Sequence, residues 1–322
     1  MIANSGEYRK KNGQRGYVMM NNFIFENKTK VYFGKGGVKE YLGGLLANFG
    51  ETVMLAYGGG SIKRNGVYDE IMGILNAQGK CVVEFSGIMS NPTYAKVQDG
   101  AKLAHENHVD LILAVGGGSV SDCCKVISGA FDTLSHAMET YFGKPDENNL
   151  SDDINEAVMR SVIRSIRILL TDPENYDARS ELARASAMAE NGVLKIGKVT
   201  DFQAHQIQHQ LGAYTDCNHG AGLAVIHPVL YRHIYKSGTA RFTRWAQNVW
   251  GIAPKGSDGE TAAGIDALAA FIKEIGLPTS FAELGIPADT DFRAIADSTN
   301  VTAGCCKKLT HDEIYEILQE CL

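Results

Sequence analysis

Five side chains in this 322-residue chain have the types and spacing of metal ligands. Asp132 and His136 lie four apart in Phe131-Asp132-Thr133-Leu134-Ser135-His136, and His205 and His209 repeat the interval in His205-Gln206-Ile207-Gln208-His209. On a helix that interval puts both side chains of a pair on one face, one turn apart and within reach of a single ion. Gly212 is expected to end the second helix, so that His219, ahead of Gly220, reaches the same place from a loop. Imidazoles combined with a carboxylate suit a divalent transition ion such as iron(II) or zinc. Each pair alone is more often a solvated or structural helix face. Their concentration in one helical stretch favours the ion. The zinc-protease motif is excluded, because its general-base glutamate would follow the first histidine, where this chain has Gln206.

Two glycine-rich turns add a second chemistry. Gly116-Gly117-Gly118-Ser119 follows the apolar run Asp110 to Val115, and Gly58-Gly59-Gly60-Ser61 follows the run Thr52 to Tyr57. Glycines between a strand and a helix let backbone amides approach a diphosphate, and the helix N-terminus favours its charge. One such turn is weak evidence, since any tight strand-to-helix connection uses glycine. Two at the strand ends of one sheet point to a nucleotide. After the earlier turn come Ile62, Lys63 and Arg64, with no acid before Asp69 to accept from ribose hydroxyls. Small donors followed by two cations favour a 2′-phosphate, hence NADP(H) in preference to NAD(H).

The elements that must position these groups fall into two halves. Short apolar runs at Val31–Phe33, Thr52–Tyr57, Cys81–Phe85 and Asp110–Val115 alternate with helical stretches, notably Val67–Gln78 and Thr93–Asn107. That alternation predicts a parallel sheet with helices on both faces. After Gly129 the strands stop. Residues 130–142, 151–170, 176–191, 201–211, 220–235 and 261–275 read as helices. In the second of these Ile154, Val158, Ile163, Ile166 and Leu170 follow the helical period, with Ser151 as the expected N-cap and Pro173 just past the end. The expected domains are a tail over 1–20, with Met19 or Met20 as the native start, an α/β dinucleotide-binding domain over 21–128, and an all-helical metal-binding domain over 129–322.

Bulk properties fit a large folded core. The chain is 44% hydrophobic and 21% charged with a formal net charge of −6, which argues against global disorder and against a nucleic-acid or anionic-membrane partner. No apolar run approaches the ~18–20 residues of a membrane span. The seven cysteines include the adjacent pairs Cys123-Cys124 and Cys305-Cys306 and no CxxC pair, and they read as reduced thiols of a cytoplasmic protein.

Taken together, the motifs resemble the iron-containing, group III alcohol dehydrogenases, most closely the NADPH-dependent butanol dehydrogenase branch. The likeness rests on Phe33-Gly34-Lys35-Gly36, Tyr57 through Lys63, Gly116–Ser119 with Asp122, Asp132-x3-His136-Ala137-x-Glu139, and His205-x3-His209 followed by His219-Gly220. It covers nearly everything from residue 21 onward. The resemblance implies a dinucleotide-binding α/β domain and a helical metal domain in the dehydroquinate synthase-like architecture, with the active site between them. It implies that Asp132, His136, His205 and His219 hold the ion. It also implies that Gly117, Gly118, Ser119 and Asp122 belong to the pyrophosphate loop, and that Gly59, Gly60 and Ser61 lie near the adenosine end. His209 matches a histidine that helps relay the alcohol proton or packs beside the metal. The implied substrate is a primary alcohol or aldehyde, and the implied assembly a homodimer.

One departure qualifies the likeness. Relatives carry a long stretch between the glycine-loop helix and the Asp-x3-His helix, supplying further strands and a Thr-Gly-Ser-Glu type loop under the nicotinamide. Here Val126-Ile127-Ser128 runs straight into Gly129-Ala130-Phe131, and several dozen residues are absent. A strand–helix unit in a parallel sheet should return to another strand, whereas this one passes into a helix. The sheet is therefore expected to be incomplete. Three readings follow: an NADP-dependent alcohol dehydrogenase working mainly as an aldehyde reductase, a catalytically impaired metal-binding remnant of that family, or a relative of glycerol dehydrogenase type.

Overall fold

The computed structural model describes residues 24–26, 29–88, 94–116, 123–145, 148–253, 258–301 and 306–322. The tail expected over residues 1–20 and the loop residues Gly117, Gly118, Ser119 and Asp122 lie outside them.

The first half is a small α/β layer. Helix α1 (Gly37–Leu46) precedes strand β1 (Thr52–Tyr57), short helix α2 (Ser61–Arg64), helix α3 (Val67–Ala77), strand β2 (Cys81–Phe85), helix α4 (Tyr94–Glu106) and strand β3 (Leu111–Val115). The three strands form one parallel sheet in the order β2-β1-β3. Alternation along β1 explains the layering. Val53, Leu55 and Tyr57 pack with Leu46 of α1 and with Ile71 and Leu75 of α3. Met54 and Ala56, also buried, point to the other face. Phe85 pairs with Ala56 on that second face and lies under α4, where a Cβ on Gly100 would come within 2.9 Å of the Phe85 ring. Helices therefore cover both faces, as the sequence predicts. Coverage fails at β3, where Ile112, opposite Met54, is 59% exposed.

The apolar run Val31–Phe33 is not a strand. All three residues are exposed, and Tyr32 rests against Tyr41 of α1 with ring centroids 5.1 Å apart. Three residues supply few ladder bonds, and no described strand pairs with them.

The second half is helical: α5 (Cys123–Tyr141), α6 (Leu150–Thr171), α7 (Tyr176–Glu190), α8 (Gln203–Thr215), α9 (His219–Ile234), α10 (Thr239–Asn248), α11 (Asp258–Glu274), α12 (Phe292–Ser298) and α13 (His311–Glu320). Their inward faces share one core that includes Phe131, Leu134, Tyr141, Phe142, Tyr231, Phe242 and Trp245. Val158, Ile163 and Ile166 of α6 are buried and Ile154 and Leu170 partly so, which matches the helical period of that segment.

Several boundaries differ from expectation. The helix expected to start at 130 begins at Cys123, so the expected domain boundary at Ser128–Gly129 falls inside α5. Asn149, not Ser151, caps α6, accepting from the Asp152 backbone N–H, while the Ser151 hydroxyl donates to the Ile196 carbonyl. Gly212 does not end α8, which continues to Thr215, since one glycine costs a helix only ~1 kcal/mol. The helices after residue 238 at Thr239–Asn248, Phe292–Ser298 and His311–Glu320 were not marked by the periodicity.

Helix α5 is pinned at both ends. At its C-terminus the Tyr141 carbonyl accepts from Arg241 (2.7 Å) and from Lys198 (3.1 Å), cations suited to the negative end of a helix. Both cations also pair with the buried Asp152. Near the other end, Gly220 of α9 lies so close that a Cβ there would sit 2.0 Å from the Ser128 carbonyl oxygen. Only glycine permits that approach.

Candidate metal centre and cofactor loops

Helix α5 presents Asp132, Ser135, His136 and Glu139, spaced at three and four residues, on one face. Helix α8 contributes His205 in its first turn and His209 one turn later. His219 is the first residue of α9 and not a loop residue. The Asn218 side chain caps that helix, accepting from the Ala221 backbone N–H at 3.0 Å. The histidine is therefore held by a capped helix end.

The four side chains that the sequence implies as ligands converge. Asp132 Oδ1 is 3.3 Å from His205 Nε2, 3.4 Å from His219 Nε2 and 3.6 Å from His136 Nε2. His136 Nε2 and His205 Nε2 are 3.1 Å apart. Single donor atoms of Asp132, His205 and His219 all lie within 4.8 Å of one another. His136 stands at the side of that trio, where its Nε2 also meets Glu190 Oε1 at 2.8 Å. His209 is exposed beside the centre, its ring stacked on His219 at a centroid distance of 5.4 Å.

Behind these groups sits a buried polar layer that spacing alone did not reveal. Glu139 is fully buried and accepts from the backbone amides of Ala204 (2.6 Å) and His205 (3.3 Å) at the start of α8. A carboxylate at a helix N-terminus is favourable. The same carboxylate bonds His205 Nδ1. This fixes the ring so that Nε2 faces Asp132, the usual arrangement behind a metal-bound imidazole. Ser135 bonds His227 Nε2 at 2.6 Å. Glu139 stood in the motif without a role, and its position three residues after His136 could have placed it on the ligand face. Ser135 has the same face signal. His227 and Glu190 come from other helices and had none.

Electrostatics follow from this packing. Burial opposes charge on Asp132, but the close imidazoles of His205, His219 and His136 outweigh it and hold the carboxyl far below the ordinary carboxylate range. Burial also opposes charge on His205, yet Glu139 and Asp132 raise it to about 9. His227 is lowered to about 4 by burial. His209 is lowered by partial burial and by the neighbouring His219 and His205.

The donor set passes a test for a cation. Asp132 Oδ1 is buried without a hydrogen-bond partner while three imidazole nitrogens surround it. Two imidazole Nε2 atoms facing each other at 3.1 Å need a shared proton or a positive ion between them. The mixture of imidazole and carboxylate suits iron(II) or zinc.

Of the cofactor loops, Gly58–Ser61 lies at the C-terminal end of central strand β1, and Gly116 at the same end of neighbouring β3. That edge is where open parallel sheets bind nucleotides. Gly59 and Gly60 are exposed, and the Ser61 backbone begins α2. Lys63 faces Glu84 at 3.5 Å and lies over the rings of Tyr57 and Tyr68, both of which donate to Glu84. The cation expected to meet a 2′-phosphate thus already has a carboxylate partner. Helix α5 begins at Cys123, directly after the second loop, and Asp132 follows ~14 Å along the same rod at 1.5 Å per residue.

Comparison with known proteins agrees with this picture. The iron-containing alcohol dehydrogenase family matches residues 28–158, and the C-terminal part of the Fe-containing alcohol dehydrogenase family matches residues 126–322. The chain belongs to the iron-containing alcohol dehydrogenase family. It is 31% identical over 392 residues to a probable NADH-dependent butanol dehydrogenase 2 of Bacillus subtilis, covering 94% of this chain and 100% of the relative. It is 26% identical over 355 residues to the NADPH-dependent aldehyde reductase YqhD of Escherichia coli, covering 83% and 90%. The crystal structure of NADH-dependent butanol dehydrogenase A from Thermotoga maritima superposes with a TM-score of 0.87 at 27% identity, covering 94% of this chain and 99% of that one. The 392-residue match is longer than the 322-residue chain, so the relative holds dozens of positions with no counterpart here.

Proposed function

We propose that this protein is a metal-dependent alcohol dehydrogenase that works mainly as an aldehyde reductase on primary alcohols and their aldehydes. The observation that carries the reading is the buried Asp132 Oδ1, without a hydrogen bond and ringed by the Nε2 atoms of His136, His205 and His219. Asp132, His136, His205 and His219 would hold iron(II) or zinc. The bound ion supplies Lewis-acid polarisation of the substrate oxygen. A nicotinamide dinucleotide supplies or takes the hydride. The relatives named above include users of both NADH and NADPH.

The chain's own residues do the rest. Glu139 orients His205 from behind and anchors the first turn of α8. His209 stands exposed beside His219, where it is placed to accept the alcohol proton. In the reductive direction the same ring, once protonated from solvent, or a water molecule supplies the proton to the product oxygen. Gly59, Gly60 and Ser61 would meet the adenosine end of the dinucleotide, and Gly117, Gly118, Ser119 and Asp122 its pyrophosphate. NADP(H) is favoured by Lys63 and Arg64 and by the lack of an acid within the Gly59–Arg64 turn, although Glu84 competes for Lys63. The working division is an α/β cofactor half and a helical metal half, joined through the continuous helix α5 that spans the expected 128/129 boundary, assembled as a homodimer.

A second reading has its own observation. The sheet has three described strands with an uncovered residue at β3, and the family's extra positions are absent here. A nicotinamide site lacking part of its wall would leave a metal-binding remnant, since hydride transfer is sensitive to about 1 Å of misplacement. One experiment separates the two. The purified chain is loaded with iron(II) or zinc, and oxidation of NADPH and of NADH is followed with butanal. Turnover that disappears in Asp132→Ala is expected. Stoichiometric bound metal with no turnover for either cofactor would establish the remnant instead.

A further inference from the structure

Besides Asp132, two carboxylates touch ligand histidines, and they do so from opposite sides. Glu139 bonds Nδ1 of His205, the nitrogen that faces away from Asp132. That is how a carboxylate supports a metal-bound imidazole. Glu190, the last residue of α7, behaves differently. Its Oε1 lies 2.8 Å from Nε2 of His136, the nitrogen that faces Asp132 at 3.6 Å and His205 at 3.1 Å. His136 Nδ1, where a supporting carboxylate would sit, is buried with no hydrogen-bond partner.

An Nε2 bound to a cation has no proton left to give Glu190. The carboxylate would then face the ion's own donor atom at close range with nothing to accept. Two donors bound to one ion at ~2.1 Å and 90–109° apart are themselves ~3.0–3.4 Å apart. The pairs Asp132–His205, Asp132–His219 and His136–His205 fall at 3.3, 3.4 and 3.1 Å, Asp132–His136 is a little wider at 3.6 Å, and the Glu190–His136 contact is slightly shorter than that range. The Glu190 side chain is half exposed, so it is not locked in place by packing on every side.

We propose that Glu190 is a fifth protein donor to the ion, giving this centre a second carboxylate. The proposal rests on the metal-centre reading above. A second hard oxygen donor makes the site less selective for zinc against manganese(II), because carboxylates suit manganese and imidazoles suit zinc. It also raises the coordination number above the tetrahedral four.

The test uses the full chain, stripped with a chelator and titrated with cobalt(II), zinc(II) and manganese(II) by calorimetry and visible absorption. Wild type should show the weak cobalt(II) bands of five or more donors. Glu190→Gln should show the several-fold stronger bands of a tetrahedral site. It should also lose about tenfold or more in manganese(II) affinity, and no more than about threefold for zinc(II). Glu190→Asp keeps the charge but shortens the reach, and should resemble the Gln variant. Unchanged cobalt spectra in both variants would overturn the proposal. So would weaker binding in Glu190→Gln alone with the spectrum intact, which would mean through-space charge. Asp132→Ala is the control for the parent reading: if it binds all three metals like wild type, the centre itself is wrong, whatever Glu190 does. Circular dichroism of each variant verifies the fold.

Discussion

The helical half and the sheet half of this molecule are built to different standards of closure. Around α5, α8 and α9, large side chains such as Phe131, Phe142, Tyr231 and Trp245 are fully buried, and polar groups such as Glu139 and Asp152 are inside with partners. Around the sheet, central β1 is buried but β3 carries Ile112 at 59% exposure. The difference follows from how each half closes. Helices bury a stripe against several neighbours, so a segment lost beside α5 is compensated by α6 and α9. A parallel strand needs a partner on each side and a helix over each face, so a shortened sheet leaves an edge. The metal centre lies wholly in the half that closes.

If that contrast is right, the largest expected effect is in the helical core. Leu134→Ala, at a fully buried position two residues from both Asp132 and His136 and so on another face of α5, should cost ~2–5 kcal/mol by urea unfolding. Ile112→Lys on β3 should shift stability by no more than ~0.5 kcal/mol. Equal costs at the two positions would break the comparison. Asp132→Ala comes next: metal affinity by equilibrium dialysis should fall at least ~100-fold, ~2.7 kcal/mol, with helicity retained.

The buried pair behind the centre gives a pH signature. In metal-free protein His205 is raised to about 9, so its contribution is fully present below its unfolded value and lost as pH rises through about 9. Chemical denaturation in chelator between pH 6 and pH 10 should therefore lose on the order of 3 kcal/mol from this residue. Glu139→Gln should flatten that decline and weaken metal binding ~10–100-fold. A decline of the same size in the variant would place its origin elsewhere. The smallest effect belongs to the sheet half. Arg64→Ala should raise KM for NADPH relative to NADH by ~threefold to tenfold, while Lys63→Ala, already paired with Glu84, should change the ratio less.

Much of the architecture was legible in the chain because it is locally encoded. Three of four apolar runs are strands, since each has at least five residues and a glycine-marked exit. Val31–Phe33 failed because a strand also needs an edge to join. The metal residues were legible because an interval of four on a helix is a statement about geometry. His219 was misplaced into a loop because the cap at Asn218 and the start of α9 cannot be told from a turn without knowing what α9 packs on. Glu190 and His227 were invisible, since each meets the centre across a helix interface far from it in sequence.

By itself, then, the sequence determined the kinds of donor available and which of them share a helix face, because side-chain chemistry and the 3.6-residue period are local properties. Only the tertiary structure decided which faces meet. It turned the break at Ser128–Gly129 into one continuous helix, brought α9 against it through Gly220, and placed Glu139 and Glu190 on opposite edges of the ligand imidazoles. Those outcomes depend on close packing between distant segments, which burial enforces and no local pattern records.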